Sequence, residues 1–287
     1  MTYVIHGATG AQGAPVAALL AAAGKPVVAV ARDAGAAVDN ARVVAADYSS
    51  VPQLIDLYRG AEGVFMHLPL GAEDDRRTYA RNIVAAVREA QPARVVYSTS
   101  GAVVDAPGNV LQEQEDSAVS TLIRGLSDSG VSHVVVAPRM FLENLLLPPV
   151  IDAVHKEGAL RYPLGVDFAV SWASHLDVAD TAATLFERTD IAGVVTVGQY
   201  PAITGPELAA AFSARFGREV SYDAIDPAIF GDSIAPLIGA GAAEGVAGLY
   251  RTLATLPDNS ISPERSAQKL LGLVPRTAGQ WLADIGI

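Results

Sequence analysis

The run Tyr3-Val-Ile-His-Gly-Ala-Thr-Gly-Ala-Gln-Gly, leading straight into the alanine-rich stretch Ala14 to Ala23, constrains this chain more than any other part of it. Four residues of strand character enter a turn with glycines at Gly7, Gly10 and Gly13, and a helix-like segment leaves it. The first glycine lets the strand turn sharply. The second removes a Cβ where a pyrophosphate must approach, and the third lets helix and strand pack closely. Backbone N–H groups at the start of the helix then face the phosphates. A glycine triplet alone is a weak signal, but a second strand at Pro26 to Ala31 completes the strand, turn, helix, strand order of a dinucleotide site. The turn predicts cofactor contacts from Gly7, Thr9, Gly10, Ala11, Gln12 and Gly13. A glycine-rich surface loop, the plainer alternative, has no need of three-residue spacing.

With 287 residues and 51% hydrophobic content, the chain is long enough for one large α/β domain, alone or with a smaller lobe. A net charge of -11 argues against nucleic-acid partners, whose phosphates demand a basic face. The absence of cysteine removes disulfides, thiolate catalysis and cysteine-ligated metals, so redox chemistry must come from a bound cofactor. No apolar run reaches the roughly 18 to 20 residues that span a bilayer, and the first strand starts at about Thr2 with no room for a signal sequence. A cytoplasmic monomer or homodimer without membrane partners is expected.

Strand-like runs recur at Tyr3 to His6, Val27 to Ala31, Arg42 to Ala45, Gly63 to His67, Arg94 to Ser98, Ser132 to Ala137 and Gly193 to Val197. Helix-like stretches at Ala14 to Ala23, Val51 to Tyr58, Arg76 to Ala90 and Ser117 to Ser129 alternate with them. That alternation predicts an α/β fold, a Rossmann-type doubly wound parallel sheet with helices on both faces. Ile203 to Phe216 reads as a helix opened by Thr204, Gly205 and Pro206 and stopped by Gly217. Residues 1–200 are expected to form the nucleotide domain, with 145–167 joining a smaller, mostly helical substrate lobe over 201–287. Residues 231–248, rich in glycine and alanine with little periodicity, are open to three readings: mobile loop, loosely packed helix or cover over a ligand.

At the end of the second strand, beside the expected adenosine ribose, the sequence reads Ala31-Arg32-Asp33. An arginine there makes a charge-assisted contact with a 2'-phosphate worth about 1.5 to 3 kcal/mol, which favours NADP(H). Asp33 argues the other way, unless it serves as a helix or turn cap. Asp47-Tyr48 follows the third strand, where an acidic side chain can accept from the adenine amino group; the alternative is an Asx turn with an exposed tyrosine. His67-Leu68-Pro69 ends the fourth strand and is expected to line the middle of the cofactor.

These residues resemble the NmrA-like branch of the atypical short-chain dehydrogenases. The resemblance rests on Gly7-Ala-Thr-Gly10-Ala-Gln-Gly13, Val30-Ala-Arg32-Asp33, Val95-Val-Tyr-Ser-Thr-Ser100-Gly-Ala102, Pro138-Arg-Met-Phe141-Leu-Glu143-Asn144, Asp177-Val-Ala-Asp180 and Val274-Pro-Arg-Thr-Ala-Gly-Gln-Trp281-Leu. It implies a Rossmann domain with a small substrate lobe and an NADP(H) preference. Family members include quinone reductases, tailoring ketoreductases of aromatic natural products such as those of antibiotic biosynthesis, and redox-responsive regulators. Ser98, Pro138 and Phe141 join the expected cofactor contacts through these motifs. Two departures stand out: Ala137 where many relatives carry arginine, and His6 where threonine is common.

Ordinary short-chain dehydrogenases protonate the developing alkoxide with a tyrosine followed four residues later by a lysine. None of the nine tyrosines here has that lysine, and the helix at Ser117 to Ser129 contains neither residue type. Ser100 matches the assisting serine and is the one candidate catalytic side chain; its plainer role is a strand-end hydrogen bond. Positioned proton transfer contributes typically 10²- to 10⁴-fold, about 3 to 5 kcal/mol, whereas proximity and orientation supply roughly 7 to 11 kcal/mol. Reduction therefore survives without the tyrosine, with a proton from water, Ser100 or an acidic hydroxyl of the substrate. His67 is a weaker candidate acid. No histidine pair has metal-ligand spacing, so no metal is expected. Phe141, Trp172, Phe168, Tyr162 and Met140 are either a substrate wall or core. The reading is an NADPH-dependent reductase of a carbonyl or quinone on an aromatic small molecule. The rivals are a non-catalytic NADP-binding redox sensor and an epimerase or lyase-like protein that keeps its dinucleotide bound.

Overall fold

A strand covered on both faces carries a near-continuous apolar run, as Val27–Ala31 does throughout and the other central strands do in their interiors. The structure, a computed structural model describing residues 2–33 and 35–287, places them in one seven-stranded sheet. In chain order the strands are β1 (Thr2–His6), β2 (Val27–Ala31), β3 (Ala41–Ala45), β4 (Ala61–His67), β5 (Val95–Ser98), β6 (His133–Pro138) and β7 (Gly193–Val197). Their spatial order is β7-β6-β5-β4-β1-β2-β3, and every neighbouring pair is parallel. All five residues of β2 are buried, whereas every residue of the edge strand β3 keeps some exposure. From β1 the chain builds outward through β2 and β3, then returns to lay β4 on the other side of β1. That reversal leaves a crevice at the carboxyl ends of β1 and β4, where open α/β sheets bind ligands.

The helices α1 (Gly13–Ala22), α2 (Val51–Tyr58), α3 (Glu73–Ala90), α4 (Ala118–Ser127) and α5 (His175–Glu187) cross between strands. Ser117 caps α4 by accepting from the Ser120 N–H at 3.1 Å. Helices α3 and α4 meet where Gly125 faces Val84: a Cβ on Gly125 would lie 2.3 Å from Val84 Cγ2. Val84 is β-branched and stiff, so it cannot swing aside cheaply. Gly125→Ala is expected to cost about 1 to 3 kcal/mol in overpacking, against ~1 kcal/mol of helix propensity regained. The urea midpoint should fall with an unchanged slope, while nucleotide affinity stays at the wild-type value.

Arg94, 2% exposed, ties the end of α5 to the sheet. Its guanidinium donates to the carbonyls of Leu185, Arg188 and Ile191 and to Ser132 Oγ, the last at 2.7 Å. Leu185 O belongs to the last turn, whose carbonyls lack partners within the helix, and a cation at a helix C-terminus is favourable.

The chain divides into two units, the first comprising 1–138, 175–197 and 264–273 and the second 139–174, 198–263 and 274–287. The second is mostly helical, with helices Pro148–Glu157, Gly205–Phe216, Pro227–Ile238, Ala240–Leu253 and Ala278–Asp284. A parallel pair joins Ala159–Tyr162 to Ser221–Ala224. Its core is aromatic. Tyr162 lies 5.5 Å from each of Trp172, Phe230 and Tyr250 between ring centres, and the Tyr162 and Tyr250 hydroxyls bond each other. Tyr162, Trp172, Phe168 and Met140 are thus buried core side chains, and Phe141 alone of that group is half-exposed. The Trp281 Nε1–H donates to Glu143 Oε1 at 3.1 Å, closing the C-terminal helix onto this unit. Residues 231–248 fall in two helices joined at Gly239. Among the described residues no helix is long and apolar enough to cross a membrane.

Candidate functional site

Strand β1 ends at His6, and Gly7 takes the left-handed φ of +64° that starts the turn. The turn closes on itself: the Gly10 N–H donates to Gly7 O at 2.8 Å, and the Ala8 N–H reaches across to Val30 O at 3.2 Å. Gly13 opens α1 with no room for a side chain, since a Cβ there would lie 2.3 Å from Gly7 O and 2.4 Å from His6 O. Gly10 is different. Its Cβ would meet only Gly7 O, at 3.3 Å, so the space over the turn is open. Thr9, Gly10 and Ala11 are exposed. Gln12 precedes α1 without capping it, and the first turn holds no acidic side chain. The Ala14 N–H goes to Gly10 O at 3.0 Å and Pro15 has none, so the N–H groups of Ala11, Gln12 and Gly13, at the positive end of the helix dipole, are the ones that face an outside anion.

The Gln12 side chain turns inward, 8% exposed at the residue, to the end of β5. Its Oε1 accepts from Ser98 Oγ at 2.7 Å, and its Nε2 donates to Ser100 Oγ at 2.9 Å. The Ser100 N–H donates to Ser98 Oγ at 3.3 Å, which closes a three-membered circuit. Ser98 is wholly buried, while Ser100 is exposed and holds a left-handed φ of +58°. Such a backbone costs about 1 to 2 kcal/mol in a residue with a Cβ and persists where the surroundings fix it. Here Thr99 helps. Its N–H donates to Val136 O at 2.9 Å and its Oγ1 to Ala102 O at 2.9 Å. Positions 12 and 98 lie far apart in sequence, and no local pattern announces their contact.

Beneath the turn lies a buried ring cluster that sequence reasoning missed. His6 stacks on Tyr48 with 4.7 Å between ring centres, and its Nε2 is 2.9 Å from the Tyr58 hydroxyl. Burial, with a smaller contribution from repulsion by His67, pushes the His6 pKa down to about 3. A neutral ring results, and with the Tyr58 O–H donating to Nε2 the ring proton belongs on Nδ1. Burial raises Tyr58 and Tyr48 above the ordinary phenol value, so both stay protonated. His67 ends β4 with its Nε2 2.6 Å from where a Gly7 Cβ would stand, so its imidazole packs directly on the first glycine. Burial lowers its pKa, partly offset by the Leu68 carbonyl. His175, at the start of α5, is lowered to about 4 by burial and then by repulsion from His67. Three of the five histidines thus gather at one place, all neutral at pH 7.

At the outer end, Arg32 is exposed and makes no hydrogen bond or ion pair among the described residues. Asp33 turns back to accept the Gly35 N–H at 2.9 Å, the turn-capping role. Asp47 also forms an Asx turn, accepting the Ser49 N–H at 2.6 Å and the Ser49 hydroxyl, which holds its carboxyl below the ordinary value. Tyr48 is buried, its hydroxyl donating to His67 O at 3.1 Å, so it can present backbone and not its ring. Leu68 is buried and Pro69 half-buried after β4; Pro138 is buried at the end of β6. Thus Gly7, Thr9, Gly10, Ala11, Gln12, Gly13, Arg32, Asp47, Tyr48, His67, Leu68, Pro69, Ser98, Ser100 and Pro138 all lie at the carboxyl edge of one sheet, while Phe141 belongs to the second unit. Among the described residues no group of three or more acidic or histidine side chains is arranged to hold a metal.

Comparison with known proteins adds to this geometry. The pattern of the NmrA-like family matches residues 1–281. The NAD(P)H azoreductase of Xenophilus azovorans is 33% identical over 233 residues, which cover 77% of this chain and 76% of the azoreductase. A nucleoside-diphosphate-sugar epimerase from Staphylococcus aureus superposes with a TM-score of 0.80 at 21% identity, over 98% of this chain and 99% of that one. Triphenylmethane reductase from Citrobacter sp., in complex with NADP(H), also gives 0.80, at 17% identity over 97% of this chain and 98% of its own. An epimerase and a reductase fit equally well, so the two structures speak for the fold alone.

Proposed function

The chain belongs to the NmrA-like family, and from that premise we propose that it is an NADPH-dependent reductase of a quinone or carbonyl group on an aromatic small molecule. The observation that carries the reading is the glycine turn at the β1/β4 crevice, closed tightly within itself yet open above Gly10, with an uncapped helix behind it. The name of the azoreductase, 33% identical to this chain, supports an NAD(P)H-dependent reductase of aromatic compounds. We assign the pyrophosphate to the N–H groups of Ala11 to Gly13, with Gly7, Thr9 and Gly10 shaping the turn. The 2'-phosphate goes to Arg32 and the adenine to Asp47 and the Tyr48 backbone. His67, Leu68, Pro69 and Pro138 line the remainder, with the buried Ser98 held beneath them by Gln12. On this reading the second unit, which holds most of residues 201–287, is the substrate lobe.

Bound NADPH supplies a hydride to the acceptor. The protein must then hold the acceptor still and stabilise the negative charge that develops on its oxygen. Ser100, exposed at the end of β5, donates a hydrogen bond to that oxygen, and a single proton, drawn ultimately from water, completes the reduction. A quinone or phenol-bearing ketone suits a site without the tyrosine and lysine pair, because its aromatic system already stabilises the reduced oxygen.

Arg32→Ala is expected to weaken NADPH binding by roughly ten- to a hundredfold, the worth of one charge-assisted contact, and to leave NADH binding nearly unchanged. Fluorescence titration with both nucleotides checks it; equal losses would remove Arg32 from the 2'-phosphate. The function itself is tested by NADPH oxidation across quinones, aromatic ketones and azo compounds with product identification. Acceptor-dependent oxidation is the expected result. Nucleotide binding with background oxidation throughout would favour the redox sensor, and dinucleotide retained through purification without net oxidation the epimerase-like reading.

A further inference from the structure

We propose that Gln12 is a positioning residue for Ser100 and not a side-chain ligand of the nucleotide. The proposal rests on the reductase reading above and extends it to a residue of the glycine turn. Each hydrogen in the circuit is spent once. The Ser100 N–H goes to Ser98 Oγ, and the Ser98 hydroxyl hydrogen goes to Gln12 Oε1. That second bond gives the wholly buried Ser98 hydroxyl its acceptor; with the amide reversed, Nε2 would face Ser98 and that hydrogen would have none among the described residues. Nε2 is thereby turned to Ser100 and donates to its oxygen. With its oxygen occupied as an acceptor, the exposed Ser100 hydroxyl keeps its own hydrogen, which has no acceptor among the described residues. Hydrogen bonds linked in this way polarise one another, so the circuit strengthens that O–H as a donor. It also holds Ser100 in the left-handed conformation at φ +58°, from which the hydroxyl is exposed.

The same side chain links two parts of the site. Its backbone belongs to the turn that we assign to the pyrophosphate, and its amide acts on the group that faces the acceptor. Ordering of the turn by nucleotide and placement of the Ser100 donor become one event, which favours assembly of the reducing site after the reductant is bound.

The test is a double-mutant cycle on the full-length protein, with a soluble naphthoquinone as acceptor. kcat is measured for wild type, Gln12→Leu, Ser98→Ala, Ser100→Ala and the Gln12→Leu/Ser100→Ala pair, and NADPH affinity by fluorescence titration for each. Misplacing a catalytic group costs on the order of 10- to 100-fold, so Gln12→Leu should lower kcat by that much. NADPH affinity should stay within about threefold, because only the backbone at position 12 faces the phosphates. In the Ser100→Ala background the Gln12 change should cost no more than about twofold, since residues acting through one another do not add. Ser98→Ala keeps the glycine turn intact and frees the Gln12 amide, so it should lower kcat in the same sense without moving affinity. Losses that multiply in the double variant, or a loss of NADPH affinity with kcat preserved, would overturn the proposal while the reductase reading stands. A wild-type protein that turns over no acceptor would overturn both.

Discussion

Replacing Gly13 by alanine is expected to destabilise the protein and remove its nucleotide site together. A Cβ at that position would sit 2.3 Å from Gly7 O and 2.5 Å from Gly7 C. Those are main-chain atoms of the turn itself, so helix and strand must separate. Ordinary overpacking costs about 1 to 3 kcal/mol, and a main-chain collision belongs at or above the top of that range. The displaced turn should lose NADPH affinity by at least ~100-fold, since several phosphate contacts move together and each charge-assisted one is worth about 1.5 to 3 kcal/mol. Gly10→Ala separates the two effects. Its Cβ meets one atom, at 3.3 Å, and otherwise projects into the space over the turn. Stability should change little while NADPH affinity falls. Urea unfolding and fluorescence titration of both variants check this; a Gly10→Ala protein that binds NADPH as the wild type does would place the pyrophosphate elsewhere.

The second large effect is a loss of stability in acid that originates at His6. Its ordinary pKa of 6.5 falls to about 3 in the fold. Between those values the unfolded chain binds a proton there and the folded chain does not, so stability rises with pH through that window. The contribution is complete above about pH 6.5 and is lost as the pH falls toward 3. At ~1.4 kcal/mol per unit, His6 alone accounts for on the order of 5 kcal/mol. His175, lowered to about 4, and His67 act in the same direction. Carboxylates titrate in the lower part of this range, so the decisive comparison is with His6→Gln, whose amide can still accept the Tyr58 hydroxyl. That variant should be less stable at pH 7.5, yet lose about 2 to 3 kcal/mol less than wild type between pH 6.5 and 4.5. Parallel stability curves would show that His6 is not the group titrating.

How much of this was legible in the sequence follows from how local each signal is. The strands and crossing helices were readable because both faces of the sheet are covered, and Val27 to Val30 cannot then be anything but apolar. The helix at Gly205–Phe216 was readable from its ends: Thr204 and Glu207 form a reciprocal capping box, and Gly217 closes it in the left-handed conformation. Residues 231–248 gave no helical periodicity for a physical reason. Gly231 packs against Ala243 and Ala247, with 3.1 Å left for a Cβ beside the Ala247 methyl, so the contact between the two helices uses small residues where a hydrophobic stripe was sought. The return of residues 264–273 to the first unit had no marker, because it is made by long-range contacts, a bridge between Thr196 and Ser266 and packing against β7 and α5.

Within the site, the turn was legible and its supports were not. Asp33 and Asp47 are short acidic side chains beside turns, and sequence left each open between a ligand contact and a cap; the structure shows both accepting N–H groups of their own loops. Tyr48 was open between an adenine contact and an exposed turn residue, and its ring instead fills the space beneath the turn against His6. Gln12 and Ser98 meet only because β1 and β5 flank β4, a relation that belongs to the sheet order and to no stretch of sequence. Glu143 and Trp281 had stood as two separate family motifs; their hydrogen bond supplies a shared reason for both.

The most direct test of the central claim is an anaerobic count of NADPH oxidised against quinone reduced by the purified wild-type protein. The account predicts one NADPH consumed per quinone converted to hydroquinone, with no consumption when Gly13→Ala replaces the wild type. Nucleotide that binds and is never consumed, whatever acceptor is supplied, would contradict it.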